Sequence, residues 1–263
     1  MFQKILSIVL FCTSFTYAQE HLIVIGGGKR PADALNKLIE LSGKEQGEIL
    51  IITWASAEQQ VGFESIQKDI AALSPIKVVS APFSPLTPES KAVLLNQLKS
   101  AKGVFFTGGD QVRIMKVLED ETLFKALHER YHNNVVFAGT SAGTAIMSEK
   151  MITGNGKLDV IDGTQVETKK GLGLLTNVIV DQHFIKRQRE NRLMGLILQY
   201  PTLLGIGIDE NTAVYVQNNK TAEVLGESQV LIFDAQQRKD AMKLYFLRKG
   251  DKFDLVKRSK VKM

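Results

Sequence analysis

Short apolar runs rich in β-branched residues recur through the first part of the chain, at residues 21–25, 48–53, 76–80, 103–107, 134–138 and 177–180. Between most of them the apolar positions take the spacing of an amphipathic helix, over 31–42, 63–73, 89–100, 111–131 with a break near Asp120, and 141–150. A strand that is apolar on both faces must be covered on both. A buried run followed by an amphipathic helix, repeated, therefore predicts an α/β fold with a doubly wound, mostly parallel sheet. Beyond Tyr200 the rhythm changes to strands and turns, at 205–208, 212–217, 221–225, 229–233 and 242–247, and Asn218-Asn219 suits a hairpin. The C-terminal part is expected to add antiparallel strands to the same domain.

The N-terminus carries a different pattern. Lys4 precedes the apolar stretch from Ile5 to Cys12, and Thr16-Tyr17-Ala18 before Gln19 offers small residues at the two positions a signal peptidase reads. Residues 1–18 are expected to be a secretory signal, too short in its apolar part to span a bilayer, and residues 19–263 a single domain in a secreted or periplasmic protein with no membrane attachment after cleavage. Cys12 is the only cysteine, so the mature chain would have no disulfide, thiol nucleophile or cysteine metal site.

The net charge of +5 does not mark a nucleic-acid surface, because residues 248–263 hold seven basic and two acidic side chains and the rest of the chain is neutral. It describes a basic tail.

Three motifs carry candidate chemistry. Gly26-Gly27-Gly28 follows the first strand, but Pro31 stands where a dinucleotide fingerprint needs its third glycine, and a tight strand-to-helix turn accounts for the triplet. His128-Glu129-Arg130-Tyr131-His132 matches the HExxH zinc pattern. It falls at the end of a helix that leads into a strand, at the amino edge of the sheet, whereas open α/β sheets place their sites beyond the carboxyl edge. Gly139-Thr140-Ser141-Ala142-Gly143 fits G-x-S-x-G, with a strand before it and a helix after it. Ser141 is then a nucleophile on a strained turn, and the Ala142 amide is available to an oxyanion. Of the four histidines, only His183 also follows a strand, which makes it the candidate base. Glu210, just past the strand ending at Ile208, is placed to orient it, with Asp209 as the rival acid. The order Ser, His, acid departs from the Ser, acid, His order of α/β-hydrolases.

Four blocks together resemble the cyanophycinase family: Phe106-Thr107-Gly108-Gly109-Asp110-Gln111, the GTSAG turn, Asp181-Gln182-His183-Phe184 with the arginines after it, and Gly207 to Ala213. That family of serine peptidases is related to the aspartyl dipeptidase peptidase E and has a flavodoxin-like sheet similar to class I glutamine amidotransferases. The resemblance implies Ser141, His183 and Glu210 as a triad, amides near Gly109 and Ala142 as the oxyanion site, and a substrate pocket lined by Gln111, Asp181, Gln182, Arg187, Arg189 and Arg192. It implies no metal or other cofactor. The substrate it implies is cyanophycin, a polyaspartate with arginine on its side chains, cut to β-aspartyl-arginine dipeptides; a homodimer is compatible with it. The alternatives are a dipeptidase or isoaspartyl peptidase of the same fold acting on short acidic peptides, a zinc peptidase using His128 and His132, and a peptide-binding protein without activity.

Overall fold

The computed structural model describes residues 19–238 and 240–261, so the expected signal segment lies outside the described residues. The strands are β1 (His21–Ile25), β2 (Glu48–Ile52), β3 (Lys77–Ser80), β4 (Gly103–Phe106), β5 (Val136–Thr140), β6 (Lys150–Gly156), β7 (Val166–Lys170), β8 (Val178–Gln182), β9 (Leu204–Ile208), β10 (Thr212–Gln217), β11 (Thr221–Gly226), β12 (Val230–Asp234), β13 (Lys243–Leu247), β14 (Lys252–Asp254) and β15 (Ser259–Lys260). The α-helices are α1 (Ala32–Leu41), α2 (Gln59–Ala71), α3 (Pro88–Ser100), α4 (Gln111–Val117), α5 (Glu121–Tyr131), α6 (Ala142–Ala145) and α7 (Glu190–Gln199).

Nine strands form one sheet in the order β15-β14-β11-β10-β1-β5-β4-β2-β3. From β1 to β3 every pairing is parallel, while β10, β11, β14 and β15 extend the other side antiparallel. Side-chain alternation assigns the faces of the parallel part. Ile23, Ile25, Ile49, Ile51, Phe105 and Val136 pack under Leu35 and Leu38 of α1 and Ile66 and Ile70 of α2. Leu22, Val24, Leu50, Val104 and Phe137 face the other way, onto Leu94 and Leu98 of α3 and Leu123 and Leu127 of α5. Both faces are covered, as the unalternating apolar runs require. The break near Asp120 is a cap: its carboxylate accepts the amides of Thr122 and Leu123 at 2.9 and 3.2 Å and starts α5. Asn218 and Asn219 both take positive φ, 53° and 49°, at the centre of the turn that the Lys220 amide closes on the Gln217 carbonyl at 3.0 Å, and three residues join β10 to β11.

Two features differ from the sequence expectation. The strands after residue 177 do not all join one sheet: β8 pairs parallel with β9 in a separate four-stranded sheet of order β13-β12-β9-β8. Its strands β8, β9 and β12 are buried along their whole length, which makes them a middle layer, while the edge strand β13 is largely exposed. Val178, Val180, Ile206 and Ile232 join the core under the large sheet, and Ile179, Leu231 and Phe233 meet Leu193, Leu196 and Ile197 of α7. The helix expected over 141–150 stops after a single turn, and Lys150 begins a β6-β7 hairpin. The reason is competition for carbonyls. Those of Ile146, Met147 and Glu149 accept the amides of Leu172, Leu175 and Gly171, a pairing incompatible with continued helix.

Candidate active site

At the end of β5 the chain reverses at Ser141, held at φ 52°, ψ −110°, a conformation that costs a residue with a β-carbon on the order of 1–3 kcal/mol. The surroundings over-determine it. Its amide donates to the Ile25 carbonyl at 3.0 Å, and the Thr144 hydroxyl lies 2.7 Å from the same carbonyl and 2.8 Å from that of Gly139. A β-carbon on Gly143 would stand 2.2 Å from the Phe106 carbonyl, so glycine at that place lets the turn press against β4. The motif's small residues are therefore demanded by packing around the serine.

His183 follows β8 with φ 50°, and its amide donates to the Gly26 carbonyl at 2.6 Å, which locks the end of the small sheet onto the end of β1. The imidazole lies over Gly27, where a β-carbon would fall 2.2 Å from Cε1. The glycine triplet is thus more than a turn. Its φ of 108° and missing side chain give the ring its seat. The signal was in the sequence, but the group requiring it is far along the chain.

The Ser141 Oγ is 2.8 Å from His183 Nε2, and His183 Nδ1 is 2.6 Å from Glu210 Oε1. With Nδ1 protonated and donating to the carboxylate, Nε2 is the acceptor for the serine hydroxyl. Burial lowers the imidazole pKa below its usual 6.5, assisted by the charges of Arg187 and Arg189 and opposed by Glu210, so the ring is neutral at pH 7. Asp209 faces elsewhere. Its carboxylate accepts the Lys186 amide and the Ser228 hydroxyl, both at 2.9 Å, and braces the turn that follows His183.

The loop after β4 completes this edge. A β-carbon on Gly108 would lie 3.2 Å from that of Ser141, so the Gly108-Gly109 segment and the Ala142 amide flank the serine. The residues expected to line a pocket divide into two groups. Asp181 and Arg192 are about 1% and 2% exposed, and the guanidinium grips the carboxylate through Nε and Nη2 at 2.6 Å each. Both arms of that fork are engaged within the fold, on a carboxylate at the end of β8 next to His183. Arg189 donates to the Gln182 carbonyl at 2.6 Å and its amide oxygen at 3.0 Å, and burial pulls its pKa down to about 10, leaving it charged. Gln111 donates to the Ile152 carbonyl of β6 at 2.8 Å, which ties the hairpin to the site. Arg187 is exposed, one turn past His183.

The HExxH residues are occupied differently. His128 Nε2 is 2.7 Å from the Leu172 carbonyl, and His132 Nδ1 is 2.7 Å from Glu20, beside the amino end of β1. Among the described residues no three His, Cys, Asp or Glu side chains converge as a metal site.

Residues 22–224 match peptidase family S51. The chain is 36% identical over 178 residues to a cyanophycinase of Trichormus variabilis, covering 62% of this chain and 60% of that protein's length. To a cyanophycinase of Geminocystis herdmanii it is 33% identical over 227 residues, 84% of this chain and 82% of the relative. The crystal structure of a peptidase from an acI-B1 actinobacterium superposes with a TM-score of 0.69 over 90% of this chain and 98% of its own, at 22% identity, and so shares the fold. The matched span runs from β1 to within β11 and contains the serine turn, the histidine strand end and the glutamate, and the chain belongs to peptidase family S51.

Proposed function

We propose that this chain is a secreted serine peptidase of the cyanophycinase type, with residues 19–263 as its catalytic unit, that cleaves cyanophycin to β-aspartyl-arginine dipeptides. The observation that carries the reading is the continuous path Ser141 Oγ, His183 Nε2, His183 Nδ1, Glu210 Oε1, with contacts of 2.8 and 2.6 Å. His183 takes the hydroxyl proton as Ser141 Oγ attacks an aspartyl carbonyl carbon. Glu210 holds the tautomer that makes this possible and stabilises the imidazolium that forms. The amides of Gly109 and Ala142 receive the oxyanion. The imidazolium then protonates the leaving amine, and water, deprotonated by the same ring, releases the dipeptide acid from the acyl-enzyme.

The similarity to cyanophycinases supports the substrate class, and the exposed Arg187 beside His183 suits a carboxylate-bearing chain. Incubation of the purified protein with cyanophycin, read by clearing and by product mass, tests the whole reading. Dipeptide release, lost in Ser141→Ala, is expected. Hydrolysis of short aspartyl peptides with the polymer untouched would instead make the protein a dipeptidase of the same fold.

A further inference from the structure

Beside the triad, the carboxyl edge of the large sheet opens into a cleft of about 830 Å³, between the loop after β2, the loop from β3 to α3, and α4. Ser56 lines it, and Ser56 lies against Gly109, where a β-carbon would stand 3.0 Å from the Ser56 amide nitrogen. Cleft, Gly108-Gly109 and Ser141 thus follow one another along one edge in the strand order β3, β2, β4, β5. Neighbouring strands are about 4.8 Å apart, so the cleft begins roughly 10 Å from the serine. An extended chain advances about 3.4 Å per residue and reaches it at the third residue from the cleaved bond.

The lining has two chemistries. Leu86, Pro88 and Val117 offer an apolar wall. Arg113 and Lys116, three apart on α4 and so on one face, offer cations. Lys91 is neutralised by Asp120. Arg113 has a carboxylate, Asp110, only at 3.9 Å, and Lys116 makes no ion pair among the described residues. An apolar wall beside two available cations fits the methylene stem and the α-carboxylate of an arginine branch, with its guanidinium directed away from the two cations.

Resting on the peptidase reading above, we infer that this cleft is a distal subsite that holds a carboxylate-bearing side branch of a polymeric substrate about three residues from the scissile bond, with Arg113 and Lys116 as its anion partners. The site then favours long chains over short ones. The test compares kcat/KM for β-aspartyl-arginine oligomers of two and of eight repeats, in the wild type, in Arg113→Ala/Lys116→Ala, and in the charge-matched control Lys99→Ala/Lys102→Ala at the opposite edge. The wild type and the control should prefer the eight-repeat chain at least tenfold, the scale of one charge-assisted contact. The cleft variant should lose that preference through KM while cutting the two-repeat chain at the wild-type rate. A wild type indifferent to length, or a preference surviving in the cleft variant, overturns the subsite and leaves the peptidase reading standing. If no oligomer of either length is cut, the substrate assignment itself has failed and the subsite with it.

Discussion

His183 and His128 sit toward opposite ends of the parallel strands, and each belongs to a motif that sequence alone would put forward. At the carboxyl edge, His183 has one nitrogen on a carboxylate and the other on a hydroxyl held in a strained turn. Toward the amino edge, His128 rests on a backbone carbonyl, and its motif partner His132 pairs with Glu20 at the surface. Residue spacing is equally good in both. What separates them is the backbone: one region stores conformational cost around its polar groups, and the other satisfies them with ordinary helix-end contacts.

The largest expected effect sharpens this contrast. Ser141→Ala should lower kcat by roughly 10⁴-fold or more with the thermal midpoint little changed, as measured by product release and calorimetry. A variant keeping a tenth of the rate would put the chemistry elsewhere. Next, Glu210→Gln should cost roughly 10³- to 10⁴-fold in kcat through the wrong imidazole tautomer. Asp209→Asn should act mainly on stability, since it braces a turn; the reverse ranking would exchange the two acids.

The arginines divide the same way. Arg192→Met leaves Asp181 buried without its partner and should destabilise the fold by about 3–5 kcal/mol in a denaturant titration. Arg187→Lys keeps the charge but loses the planar fork, and should lower kcat/KM on an acidic polymer roughly 10-fold or more while sparing a neutral ester. Equal, small losses in both variants would remove the distinction between a buried clamp and a free one.

The pH profile depends on a sign. Because burial lowers the His183 pKa, the neutral base persists below pH 6.5, and kcat/KM should hold until the pH falls through that depressed value. An acidic limb above 6.5 would mean that Glu210 dominates burial. The smallest effect is a predicted absence: EDTA and His128→Ala should each change turnover by less than about twofold, against complete loss for a zinc enzyme.

The alternation of buried strands and amphipathic helices was legible because each parallel strand is apolar by itself, whatever its neighbour. The split into two sheets was not, since Val178–Gln182 reads the same whether it pairs with β9 or with β1. The β6-β7 hairpin was hidden by Ser141 to Lys150, whose residues suit a helix until Gly171 to Leu175 take its carbonyls. Ser141 and His183 stood out by local motif and strand-end position. The role of Gly27 did not, because the ring it seats is 156 positions away. Nor did the pairing of Arg192 with Asp181, which looked like a charged helix face and is buried.

The nucleophile rides on the nine-stranded sheet, the base on the four-stranded one, and the acid on the connection that crosses from β9 to β10. The hydroxyl-to-imidazole contact is therefore a gauge of alignment between two separately built layers, read at a single point. A slip of about 1 Å, too small to open either core, would already break the proton path. The bond from the His183 amide to the Gly26 carbonyl works as the detent that keeps the two layers in step.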